Sequence, residues 1–173
     1  MAQKPYTLEA GEKATQVMIG TSDTLIWGDL VTKEQVQMSA FLNTLAEDFV
    51  PLHAARLLFL TPRQQMAPIE RPVLYIKQEE ILLFFSMAGG DTVPGETEVR
   101  RYEPVEIAVG SFLVEATILK SPIATMLNLL LVSKDAYMPF YRATIRHVAN
   151  PWLGALSSDV VQVRRDRMTL ITP

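Results

Sequence analysis

The chain has 173 residues, 49% hydrophobic and 20% charged, with a formal net charge of −3 and no cysteine. That length suits one domain or two small ones, and that balance supports a packed core and argues against global disorder. The missing cysteines exclude a disulfide framework, a thiolate zinc site and a cysteine nucleophile, and they fit a reducing, cytoplasmic compartment.

Residues 1–14 read as a polar tail without the apolar core of a signal peptide. "TQVMIG" (Thr15–Gly20) reads as a short strand, and Asp23-Thr24 turns the chain into a second, "LIWGDLV". Gly28 within it marks a bulge or a close backbone approach. "TKEQVQMSAFLNTL" then shifts period. Val36, Phe41, Leu42 and Leu45 fit one or two helical turns, with Thr32 as cap and Gln35 three residues on. "FVPLHAARLLFL" (Phe49–Leu60) is a long β-prone run whose Pro51 calls for an edge position or a bulge near its start. "PVLYIK" and "ILLFF" complete the set as two strands across a tight, charged turn.

After a glycine- and proline-rich stretch at 87–103, the same series returns. "VEIAVG" and "FLVEATIL" answer the first two strands, and "PIATMLNLL" answers "QMSAFLNTL", matching Leu42-Asn43 with Leu127-Asn128. "YMPFYRATIRHV" answers "FVPLHAARLLFL", matching Pro51 with Pro139. Set without gaps, "LYIKQEEILLF" faces "VQVRRDRMTLI", pairing Leu83 with Leu170 and Phe84 with Ile171. The expected fold is mainly β: a tandem duplication of a small β-β-(short α)-β-β-β barrel or bent-sheet unit, with copies at 15–86 and 104–173 joined by the 87–103 linker. A single ten-strand sandwich over both copies uses the same strands. The strands are apolar enough that the two copies are expected to bury surface against each other.

The segments "WGDLV", "SAFLN", "FVPLHAARLLFL" and "VLYIKQEEILLF" resemble an uncharacterised bacterial β-rich domain family over most of residues 15–85, and more loosely in the second copy. More distantly, Gly28-Asp29-Leu30, Phe41-Leu42-Asn43, Ile76-Lys77 and Val163-Arg164 resemble the motifs of Sm-like small barrels. In that family an asparagine and an Arg-Gly pair contact RNA, which implies Asn43 and Asn128 as motif asparagines. The chain departs from the pattern: Ser39 stands near the place of the motif aspartate, and Gln78 and Arg165 replace the hairpin glycine. What the likeness implies is a barrel and assembly into larger bodies.

Little chemistry is written in the residues. His53 and His147 are the only histidines, and neither has a second ligand at metal spacing. "AGGDTVPG" lacks the Lys-Ser/Thr of a phosphate loop, and Ser121, Ser157 and Ser158 lack a nucleophile-elbow context. No metal, cofactor or catalytic residue is assigned. Charge is uneven: residues 1–98 carry seven Lys/Arg against thirteen Asp/Glu, and residues 99–173 carry nine against six. Two halves of opposite sign favour docking to each other. Arg100, Arg101, Arg164, Arg165 and Arg167 are the candidate anion contacts, should the two clusters converge. The expectation is a non-enzymatic cytoplasmic protein that self-associates or binds a protein partner, without a membrane span. RNA or other polyanion binding by the basic C-terminal copy is the alternative.

Overall fold

A computed structural model describes residues 6–60, 67–87, 89 and 91–171. The loop expected at 61–66, within "TPRQQMAPIERP", lies outside the described residues, as do residues 1–5 of the tail.

Ten strands and two short helices follow in chain order. They are β1 (Glu12–Gly20), β2 (Thr24–Lys33), α1 (Phe41–Thr44), β3 (Phe49–Phe59), β4 (Ile69–Lys77), β5 (Leu83–Ser86), β6 (Arg101–Val109), β7 (Phe112–Lys120), α2 (Met126–Val132), β8 (Tyr137–His147), β9 (Leu156–Arg164) and β10 (Met168–Ile171). All pair antiparallel in one open sheet, in the order β10-β6-β7-β8-β9-β5-β1-β2-β3-β4. The mainly β expectation holds. The strands form one continuous open sheet.

Each half has its own internal order. The first reads β5-β1-β2-β3-β4 and the second β10-β6-β7-β8-β9. The halves meet where β5 pairs with β9, through Leu83–Val163, Phe84–Gln162 and Phe85–Val161. The outer edges of the sheet are β4 and β10.

Side chains alternate across strands, so a strand buried on both faces contributes to two cores. This happens in β1 and β5. Val17, Ile19 and Phe84 join a cluster with Met38, Phe41, Leu42, Val50 and Leu52. Met18, Leu83 and Phe85 join the other cluster, with Ile107, Phe112, Phe140 and Val161. The halves therefore share buried apolar surface, as the apolar strands required.

Bulges bend the sheet at two places. Between β2 and β3 the register shifts at Trp27/Asp29, and between β7 and β8 at Glu115/Thr117. Opposite them, Ala54 (φ 46°) and Arg142 (φ 53°) take left-handed backbone. Gly28 has both properties its sequence context called for: it lies at the bulge, and a Cβ there would sit 2.7 Å from the His53 carbonyl oxygen. Pro51 and Pro139 pair with Tyr75 and Gln162, but β2–β3 pairing ends at Asp29–His53 and β7–β8 pairing at Thr117–Tyr141. At both prolines one side of the strand has no ladder partner, so the missing N–H costs little.

The helical stretch is shorter than the periodicity predicted. β2 runs on to Lys33, so Thr32 is a strand residue and not a cap. A 3-10 turn at Met38–Ala40 and four residues of α1 are all that is helical. Met38, Phe41 and Leu42 are buried in one core, and that burial decides the path of the segment more than helix propensity does.

Candidate interaction site

A network of polar contacts lies across the β5–β9 junction. Asn43, at the third position of α1, reaches into the other half. Its Nδ2 donates to the Tyr137 carbonyl at 2.8 Å, and the Tyr137 N–H donates to its Oδ1 at 3.0 Å. One amide thus holds both backbone groups of the first residue of β8, as a neighbouring strand would. Tyr137 answers from its side chain. Its hydroxyl donates toward the carbonyls of Gln78 (2.6 Å) and Ile81 (3.2 Å), in and just after the turn that follows β4. Burial pushes this phenol's pKa up, against the nearby Arg164 guanidinium, which favours ionisation.

The junction continues on both sides. Gln162 in β9, 1% exposed, donates from Nε2 to the Met38 carbonyl. Gln78 donates from Nε2 to the Leu42 carbonyl at 2.5 Å. The Arg164 N–H donates to the Leu82 carbonyl at 2.9 Å, extending the β5–β9 ladder by one bond. Its guanidinium donates from Nε to Asp166 at 2.7 Å and from Nη1 to the Glu79 carbonyl. The hydrogen bond with Asp166 raises the Arg164 pKa and lowers that of Asp166.

The candidate residues are thus dispersed. Asn43 is a junction residue. Asn128, in α2, is exposed, and its backbone N–H donates to the Thr125 hydroxyl at 3.2 Å. Arg164 and Arg165 hold protein carbonyls, Arg165 donating to Leu130 and Ser133. Arg100, Arg101 and Arg167 are exposed. The two basic clusters do not converge. Met168 pairs with Val109 at one end of β6, whereas Arg101 begins the other, and those eight residues of strand span roughly 26 Å.

The histidines are also apart. His147 is buried, with Nδ1 3.2 Å from the Asn150 amide and its ring edge-on to Phe112, and desolvation lowers its pKa. His53 lies against Tyr6, with ring centroids 5.0 Å apart. Among the described residues no group of three His, Asp or Glu side chains could hold a metal ion. No helix among them is long and apolar enough to cross a membrane.

The exposed apolar residues carry a signal that the sequence could not. Ile123, Leu127, Leu131 and Val132, in and before α2, are all exposed. On the far edge of the sheet Tyr75 and Phe49 are exposed, and both line a groove of about 680 Å³ with Leu45 and Pro51. A second groove, about 470 Å³, includes Lys13, Ser39 and Asp91. There Asp91 accepts the Ser39 N–H at 3.0 Å, and burial raises its pKa.

No protein-family model matches the chain, nor does any curated protein or any solved structure.

Proposed function

We propose that the chain is a non-enzymatic assembly or partner-binding protein, built from two copies of one small bent-sheet unit. Several regularities support the duplication. The halves have one strand order, and their bulges, at Gly28 and Ala116, lie 88 residues apart. So do the left-handed residues Ala54 and Arg142. A 3-10 turn follows β4 at Gln78–Glu80 and β9 at Arg165–Arg167.

One observation carries the functional reading. Matching residues are buried beside the internal junction and exposed away from it. Met38 and Leu42 are 5% and 1% exposed, and their counterparts Ile123 and Leu127 are 94% and 64% exposed. Gln162 and Tyr137 are each 1% exposed, and their counterparts Tyr75 and Phe49 are 72% and 47% exposed. The junction surface thus recurs, uncovered, at both ends of the sheet. Exposed apolar residues beside open strand edges mark interaction surfaces. A cysteine-free chain of this kind suits the cytoplasm.

The polyanion reading has thinner support, because Arg164 and Arg165 are engaged with carbonyls and the basic clusters lie apart.

The test is native mass in an extract of producing cells. The wild-type chain is expected well above its 19.4 kDa. Burying Ile123 and Leu127 contributes about 1.5–3 kcal/mol each. Replacing both by glutamate therefore weakens association at least ~100-fold and returns the chain to monomer mass. A wild-type chain that already runs as a monomer overturns the reading.

A further inference from the structure

Resting on that reading, we infer that the partner is a second copy of this chain, docked head to tail, with β10 of one molecule paired antiparallel to β4 of the next. The internal junction is the template. There the closing strand of the first half, β5, pairs with the fourth strand of the second half, β9. In the sheet order, β10 and β4 hold those same two positions, and both are edges.

The register follows from pairings within each half. Phe84 lies opposite Ile19, and Leu170 lies opposite Ile107. Ile19 and Ile107 are 88 residues apart, as are the pairs Val17–Gly28 and Val105–Ala116. Leu170 therefore stands where Phe84 stands. Gln162 lies opposite Pro139, and Tyr75 opposite Pro51, so Tyr75 stands where Gln162 stands. The internal pair Phe84–Gln162 becomes Leu170–Tyr75 between molecules, flanked by Thr169–Ile76 and Ile171–Leu74. The Lys77 N–H would reach the Met168 carbonyl of the neighbour, as the Arg164 N–H reaches Leu82 within the chain.

The helix supplies the rest. Asn128 would clasp the backbone of the neighbour's Phe49, as Asn43 clasps Tyr137. Ile123 and Leu127 would cover Phe49 and Tyr75, on which the 680 Å³ groove opens. Charge agrees. Head-to-tail contact sets the basic half (nine Lys/Arg against six Asp/Glu in 99–173) on the acidic half of the next molecule. A two-fold contact between like edges would set like against like. Because the contact joins different surfaces, it repeats, and it closes into a ring or continues as a filament.

The absence of cysteine makes the register directly testable. Directly opposed strand residues have Cα atoms about 4.5–5.5 Å apart, within disulfide reach. Purified full-length Tyr75→Cys and Leu170→Cys are oxidised separately and as an equal mixture. The expected result is covalent dimer in the mixture alone, and a covalent ladder or closed oligomer from the double variant. Adding Leu127→Glu lowers the yield at least ~10-fold. Leu74→Cys with Ile171→Cys repeats the test should Leu170→Cys fail to fold. Dimer from Tyr75→Cys alone would mean a two-fold contact and overturn the inference. So would oligomers that form in the mixture without a cross-link. A purified chain that stays monomeric while the extract complex persists would overturn self-association and leave the partner-binding reading standing.

Discussion

Asn43 and Asn128 have the same chemistry and opposite surroundings. Asn43 satisfies a backbone N–H and a backbone carbonyl of Tyr137. Removing its amide leaves both without that partner in the interior of the junction, at a cost of about 1–3 kcal/mol. Asn43→Ala is expected to lower the unfolding free energy measured in urea by that amount, and Asn128→Ala, at an exposed position, to leave it unchanged in dilute solution. Equal losses from the two variants would remove the junction role assigned to Asn43. At this scale the sequence was partly legible. Asn43 and Gly28 stand out by context, and both hold special positions. Tyr137 and Gln162 do not stand out, because their partners are distant in the chain: Asn43 is 94 residues from Tyr137, and Met38 is 124 from Gln162. No local pattern encodes such a meeting.

At the scale of elements, the bulges set the bend. A non-glycine residue in the left-handed region costs about 1–2 kcal/mol, and both bulges hold one, Ala54 and Arg142. Glycine at position 54 removes that strain and returns some of it as unfolded-chain entropy. Ala54→Gly is expected to leave stability unchanged or raise it by up to about 1 kcal/mol, and Ala54→Val to lower it, as read from thermal midpoints. A clear loss with glycine would mean that the methyl group matters more than the backbone.

The succession of strands along the chain was legible because period-two alternation and turn residues are local signals. Register was less so. A gapless reading sets Phe84 against Ile171, whereas the pairings with β1 and β6 set it against Leu170. Only the strands beside β5 and β10 fix that one-residue step. The helical turn after β2 was overextended from Phe41 and Leu42, whose spacing reports burial in a core as well as it reports a helix.

For the whole molecule, the uneven charge and the repeated series were both visible in the sequence. What they mean for association was not, since exposure is a property of the packed chain. Met38 and Ile123 are both large and apolar, and only the fold separates a covered residue from an uncovered one. One junction is closed inside each chain, and the two faces that would make the next stand at opposite ends of the sheet.

Backbone amide hydrogen exchange, followed across a concentration series of the full chain, tests this most directly. Exchange at Tyr75 and Lys77 in β4 and at Met168 and Leu170 in β10, whose N–H groups face outward in this register, is expected to slow together as concentration rises, while the β5–β9 junction stays protected throughout. Edges that exchange equally fast at every concentration, or protection that appears elsewhere, would contradict the account.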